Sequence, residues 1–292
     1  MLTNKGNVFK LSKFTGMGNS LIQLSNAINV AKETESKLLM PLSTDDNWPE
    51  PFNYLRSIPD YNFGCIKESP TPETYRTLVS KFYFDSQTFG HILTNDKRRS
   101  ILQEHVLPHL SLFKKEELSD TLVIHIRSGA IFNKTKKESA LQPEIESWIH
   151  PNYVQPPLTY YKRIIEEESP QKILIVTEKN KANPCIESLL QWDNSIQVQT
   201  GTFTEDVNTM LSAEKLIVGF GTWGWALSLM STSINKLWCP RICTDILDSN
   251  FENDPYIIKR YDFIDYIKMG DWKCTEEQKN IMIGDVNVVE CE

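Results

Sequence analysis

The chain has 292 residues, 40% of them hydrophobic and 24% charged, with a formal net charge of −7. That balance is the one of a globular protein able to bury one large core or two ordinary ones, and its acidity argues against a broad nucleic-acid footprint. No run approaches the roughly 20 apolar residues of a membrane helix, and the start MLTNKGNVFKLSKF lacks a signal peptide's apolar stretch, so a cytoplasmic protein or a soluble catalytic domain is expected.

Val8 to Leu11 predicts a short strand that runs into Thr15-Gly16-Met17-Gly18-Asn19-Ser20. A helix with Leu21, Leu24, Ile28 and Ala31 on one face follows, and then a second strand from Lys37 to Met40. Strand, glycine turn and helix make half of a βαβ unit. The glycines admit a ligand close to the backbone, and amides at the helix start favour an anion or a sugar hydroxyl. Such turns are also ordinary packing devices, and the full dinucleotide fingerprint is missing, which disfavours a nicotinamide cofactor. Residues 43–75 are rich in Pro, Asp, Asn and Ser, with Trp48, Phe52, Tyr54, Tyr61 and Phe63 interspersed, and predict irregular structure with packed aromatics. Residues 76–118 are expected to be largely helical, stopping near Pro108, and they complete an N-terminal domain over 1–118. The basic runs Lys97-Arg98-Arg99 and Lys134 to Lys137 are expected in solvated loops.

The second domain, 119–292, opens on TLVIHIRSGAIF at Thr121 to Phe132. Thr121 to His125 is the apolar, β-branched run of a buried parallel strand. His125 and Arg127, two residues apart, face the same way beyond its carboxyl end, where ligands sit in open α/β sheets. The planar fork of an arginine matches a phosphate. The plainer alternative is a surface Arg127 and a hydrogen-bonded core His125. A polar insertion over 134–157 is long enough to signal a functional loop. Leu158 to Glu168 then predicts a helix, Lys172 to Thr177 a strand, Ile196 to Val198 a weaker strand, Thr204 to Ala213 a helix and Lys215 to Val218 a strand. That last strand enters Gly219-Phe220-Gly221-Thr222-Trp223-Gly224-Trp225, a glycine turn in which Thr222 offers a hydroxyl to a phosphate and Trp225 fills the core. Ala226 to Met230 continues as helix, and Leu237-Trp238 suggests a final strand. Alternating strands and helices imply α/β architecture with parallel sheets.

The six cysteines are scattered. Cys239 and Cys243 have no second His/Cys pair to complete a zinc site, so free thiols are expected, while pairing of Cys274 with Cys291 stays open for a secreted chain.

Three of these stretches, taken together and in order, resemble the fucosyltransferase superfamily of GT-B glycosyltransferases, which includes the α-1,2-, α-1,6- and protein O-fucosyltransferases. Gly16-Met17-Gly18-Asn19-Ser20 is similar to the family's N-terminal Gly-x-Gly-Asn-Gln segment, with Ser20 in place of Gln. His125-Ile126-Arg127-Ser128-Gly129 is similar to its His-x-Arg-x-Gly-Asp motif, with Ala130 in place of Asp. Asp206, Leu211-Ser212 and Gly221-Thr222-Trp223 are similar to the C-terminal motif that lines the nucleotide. The resemblance implies two Rossmann-like halves facing a cleft and a metal-independent, inverting transfer. The donor is a nucleotide-sugar, GDP-fucose or a UDP-sugar such as UDP-xylose, and the acceptor an oligosaccharide or glycoprotein. It implies Arg127, Asn19 and His125 as catalytic residues. Gly16, Gly18, Thr177, Asp206, Ser212, Gly221, Thr222 and Trp223 form the donor-binding set. No cofactor is implied; no Asp-x-Asp stands where a metal-dependent transferase needs one, and Asp45-Asp46 is an adjacent pair in a loop. Glu144, Glu146 and His150 are candidate bases for the acceptor hydroxyl. Ala130 motivates an alternative, a catalytically silent glycan- or nucleotide-binding module on the same fold. A phosphate-binding α/β enzyme of another kind would need a phosphate-loop lysine motif, which the sequence lacks.

Overall fold

The computed structural model describes residues 8–11, 17–39, 61–62, 75–78, 93–110, 118–132, 152–241 and 255–291. Among them lie two sheets and seven α-helices. The smaller sheet is built from β1 (Val8–Leu11), β2 (Lys37–Leu39), β3 (Tyr61–Asn62) and β4 (Tyr75–Leu78), in the order β3-β2-β1-β4. β1 is parallel to both β2 and β4, and β3 is antiparallel to β2.

The larger sheet comprises β5 (Thr121–Ile126), β6 (Lys172–Thr177), β7 (Gln197–Val198), β8 (Lys215–Ile217), β9 (Lys236–Pro240), β10 (Ile257–Ile264) and β11 (Asn287–Cys291). Their order is β11-β10-β9-β8-β5-β6-β7, parallel throughout except for the β10/β11 pair. From β5 the chain first builds outward to β6 and β7, then returns to the other side of β5 for β8, β9 and β10. The order therefore reverses between β5 and β8, and at such a switch point the loops leave in opposite directions and open a crevice at the strands' carboxyl ends.

The helices are α1 (Met17–Glu33), α2 (Asn95–His105), α3 (Leu158–Glu168), α4 (Pro184–Trp192), α5 (Phe203–Ser212), α6 (Thr222–Met230) and α7 (Glu276–Ile283). Strand residues alternate between two cores, as the twofold period of a strand requires. Val123, Val176, Leu216 and Leu237 face α1, α2, α5 and α6. Ile124, Ile175, Ile217 and Trp238 face α3, α4 and α7. This is a Rossmann-like α/β arrangement with both sheet faces covered. The N-terminal helices α1 and α2 thus share a core with the larger sheet, and the boundary near residue 119 is a change of sheet rather than of core.

The structure departs from the sequence-based expectations at several points. Tyr75–Leu78 is a strand beside β1, not the start of a helical region; within 76–118 the described α-helix is α2 alone, and Pro108 lies in a 3-10 turn over Leu107–His109. Leu237-Trp238 is not the last strand, since β10 and β11 extend the same sheet. Helices α4 and α7 were not expected. Arg98 and Arg99 are not in a solvated loop: both are buried on α2, where Arg98 Nη2 donates to Asn26 Oδ1 (3.2 Å) and Arg99 Nη1 meets Asp96 Oδ1 (2.9 Å). Arg99 Nη2 also reaches the Tyr256 hydroxyl, a contact between the tail and the N-terminal helices. Cys185, Cys239, Cys274 and Cys291 are free thiols. No helix among the described residues is long and apolar enough to cross a membrane. Trp48, Phe52, Tyr54, Phe63, Cys65, Cys243 and the 134–151 part of the insertion lie outside the described residues.

Candidate functional site

A cavity of about 1270 Å³ opens at the switch point, large enough for a ligand of nucleotide size. Three chain ends meet there. β5 leaves toward Arg127, the first turn of α6 begins at Thr222, and α1 begins at Met17. The turn before α6 is held by Gly221 at φ +124°, a backbone state that side-chain-bearing residues rarely adopt. A Cβ placed on Gly221 would also lie 3.4 Å from the Arg127 guanidinium, so the glycine lets the arginine lie along the turn.

The starts of α1 and α6 touch. A Cβ on Gly18 would stand 2.5 Å from the Trp223 amide nitrogen and 2.6 Å from the Thr222 carbonyl carbon, so only glycine permits this approach. Beside it Thr222 Oγ1 donates to Asn19 Oδ1 at 2.6 Å. That bond joins the two halves of the sequence and leaves the Asn19 Nδ2 group as the donor available to the cavity. It also occupies the Thr222 proton, so Thr222 serves first as a strut between the helices.

Arg127 carries the charge of the site. Its Cζ lies 4.3 Å from the centroid of the Tyr153 ring, a cation–π contact, and Asn183 Nδ2 donates to its carbonyl oxygen at 3.0 Å. No carboxylate among the described residues pairs with the guanidinium. The backbone that follows is fixed from the end of β6: Ser128 N donates to Glu178, and Ser128 Oγ and Gly129 N both donate to Asn180 Oδ1. A cation held in place without an ion partner, next to a helix start, is a ready anion site. Lys179 and Lys181 also line the cavity, against the carboxylates Glu178 and Asp206, which leaves the wall with an excess of positive charge among the described residues.

His125 sits below Arg127, with its Nδ1 near Gly224. Burial, and secondarily the Arg127 charge, lowers its pKa from 6.5 to about 4. The imidazole is therefore neutral at pH 7 and acts as a hydrogen-bonding group rather than a second cation. Because the unfolded chain takes up this proton near pH 6.5 and the folded chain only near 4, stability falls as pH drops through that window, by roughly 3 kcal/mol at most. Urea unfolding of wild type and His125→Asn at pH 7 and pH 4.5 checks this: the variant is expected to lose markedly less stability on acidification. An equal loss in both proteins would place the titration elsewhere.

On the far side Asp206, in the first turn of α5, accepts from Gln199 Nε2 at 2.6 Å, and Thr209 Oγ1 holds the Gln199 carbonyl at 2.9 Å. Desolvation raises the Asp206 pKa against the opposing pull of that hydrogen bond. Phe203 and Trp223 stack nearby, with centroids 5.4 Å apart and planes at 25°.

Of the residues expected from the sequence, Gly18, Asn19, His125, Arg127, Thr177, Asp206, Gly221, Thr222 and Trp223 all line this one cavity. Ser212 does not: it closes the opposite end of α5, buried in the core. Gly16, Glu144, Glu146 and His150 lie outside the described residues, as does the Ala130 side chain. Trp225 is buried in the core as expected. Sequence reasoning missed Tyr153, Gln155, Gln199 and Phe203. The first two stand in the proline-bearing end of the 134–157 insertion, before α3, where no periodicity marks them, and only the length of that insertion hinted at a role. Among the described residues no three His, Cys, Asp or Glu side chains gather into a group able to hold a metal ion. No protein-family model, curated protein or solved structure matches the chain.

Proposed function

We propose that the chain is a glycosyltransferase of the GT-B kind, in which residues 1–118 form an acceptor-side domain and 119–292 a nucleotide-sugar-binding domain. The donor is GDP-fucose or a UDP-sugar such as UDP-xylose, and the acceptor is a glycan hydroxyl. The observation that carries this reading is Arg127, a guanidinium with no carboxylate partner among the described residues, beside Gly221 and the start of α6, at the switch point of a parallel sheet and inside a nucleotide-sized cavity.

In the proposed reaction the acceptor oxygen attacks the anomeric carbon from the face opposite the diphosphate and the configuration inverts. The bond from that carbon to the phosphate oxygen breaks, its electron pair stays on the diphosphate, and the acceptor proton passes to a base. Arg127 and the amides at the start of α6 stabilise the charge that grows on the leaving group, which favours the transition state over the ground state. Asn19, held by Thr222, orients the reacting groups through its Nδ2, and neutral His125 offers a hydrogen bond beneath the diphosphate. Asp206 with Gln199 and the Phe203/Trp223 stack suits a nucleoside, by an acceptor for its N–H or O–H groups and an apolar surface for its base. The proposed mechanism uses these groups in place of a metal ion.

A second reading, binding without turnover, is favoured by one observation: among the described residues, both carboxylates on the cavity wall are already engaged, Glu178 by the Ser128 amide and Asp206 by Gln199. Release of nucleoside diphosphate from candidate donors in the presence of EDTA separates the two readings.

A further inference from the structure

The turn after β6 is fastened more firmly than a surface loop needs. Asn180 Oδ1 accepts from Ser128 Oγ (3.0 Å), Gly129 N (2.9 Å) and Ala182 N (3.3 Å), Asn183 N donates to Ser128 Oγ at 2.9 Å, and the Glu178 carboxylate takes the Ser128 amide. The turns after β5 and β6 are thus one rigid unit. From it Lys179 and Lys181 emerge, both exposed and both lining the cavity. Neither ammonium forms an ion pair or hydrogen bond among the described residues. Lys181 stands at φ +46°, a left-handed state in which glycine or asparagine sits at less cost, so the position keeps a lysine against its backbone preference. Lys179 lies within electrostatic reach of Asp206: desolvation raises that carboxyl's pKa, and the Lys179 charge is among the pulls that oppose it.

Strand order fixes where this turn lies. β5, β6 and β7 are consecutive parallel neighbours, with Ile126 beside Thr177 and Ile175 beside Val198. Neighbouring strands are about 4.8 Å apart, so the residues just beyond β5 and those just beyond β7 are separated by about 10 Å, and the β6 turn stands between them. Arg127 follows β5, and Gln199, which follows β7, is bonded to Asp206. A ligand that reaches from Arg127 to the pair of Asp206 and Gln199 therefore passes over Lys179 and Lys181. In a nucleoside diphosphate the group between the outer phosphate and the nucleoside is the inner phosphate, which only accepts hydrogen bonds, and ammonium groups, which only donate them, match it.

We propose that Lys179 and Lys181 form a second anion subsite in this cavity, which holds the inner phosphate of a nucleoside diphosphate while Arg127 holds the outer one. This rests on the nucleotide-sugar reading, and the test separates the two. Calorimetry measures the affinities of GMP, GDP, UMP and UDP for wild type, Lys179→Gln, Lys181→Gly, Arg127→Ala and, as a control of equal charge change, Lys172→Gln at the amino end of β6. One base is expected to bind wild type, both as its monophosphate and as its diphosphate. Lys179→Gln and Lys181→Gly are each expected to weaken the two alike, by about five- to tenfold, the worth of an exposed charged hydrogen bond. Arg127→Ala is expected to weaken the diphosphate alone, and Lys172→Gln to leave both within about twofold. Lys181→Gly, freed of the left-handed strain, is expected to melt no lower than wild type, so that its loss of affinity is not a loss of fold. Should it melt lower, Lys179→Gln, whose backbone needs no special state, decides alone. If the lysine variants bind both nucleotides as wild type does, weaken only the diphosphate, or lose no more than Lys172→Gln, the subsite is overturned and the nucleotide reading stands. The same follows if Arg127→Ala weakens the monophosphate as much as the diphosphate. If wild type binds no nucleotide, the functional reading itself fails, and the subsite with it.

Discussion

Arg127→Lys is expected to lower turnover at least about a hundredfold at saturating donor, nearly as much as Arg127→Ala, with the fold intact by circular dichroism. Lysine keeps the charge but lacks the planar fork, so it cannot span two diphosphate oxygens. The structure adds a second reason. Arg127 is positioned by a flat face, its Cζ 4.3 Å from the Tyr153 ring centroid, and by an edge that lies along Gly221. An ammonium on a flexible stem gains little from either. In the proposed transfer the interaction strengthens as the leaving group gains charge, so the loss should appear in kcat rather than only in KM. A lysine enzyme running near the wild-type rate would remove Arg127 from the diphosphate.

Gly18→Ala is expected to destabilise the protein by about 2–3 kcal/mol, against the direction of helix propensity. Within a helix, alanine is favoured over glycine by about 1 kcal/mol. Here the added methyl would stand 2.5 Å from a backbone nitrogen and 2.6 Å from a backbone carbon of α6, and neither is a flexible side chain that can turn aside. Overpacking of that kind costs about 1–3 kcal/mol even where side chains can yield. The same displacement would part Asn19 from Thr222, so nucleotide affinity should fall as well, by about tenfold or more. Urea unfolding and a nucleotide titration measure the two effects. A more stable Gly18→Ala protein with normal affinity would mean that the two helix starts are not in contact.

Much of this site was legible in the sequence because it is built from strong local signals. The apolar runs at β5 and β6 are long enough to be read as buried strands, and both end in polar residues that the sheet's geometry must place in a crevice. Gly18 and Gly221 mark the places where backbone comes close. What was not legible has physical causes. Ser212 was grouped with Asp206 by resemblance to the family's C-terminal motif, but six residues of helix turn about 240° beyond a full circle and advance about 9 Å, which carries Ser212 away from the cavity. β10 reads IIKRYDFI, its apolar and charged residues mixed, because this strand near the sheet's edge keeps charges on its exposed side. Helix α4 did announce itself: Asn183 caps it, accepting from Cys185 N at 3.0 Å, and Pro184 occupies its first position, but the apolar pattern is short. Gln155 and Tyr153 belong to a stretch without period, and their roles arise from contacts with Gly219, Tyr266 and Arg127 that are distant in sequence.

The most direct test of the central claim is release of nucleoside diphosphate from GDP-fucose and from UDP-xylose by the wild-type protein in excess EDTA with glycan acceptors present. The account predicts release from one of the two donors, undiminished by the chelator and abolished in Arg127→Ala. Turnover that requires manganese, or that survives in Arg127→Ala, would contradict the mechanism. Binding of the diphosphate with no release from either donor would contradict catalysis and leave a binding module.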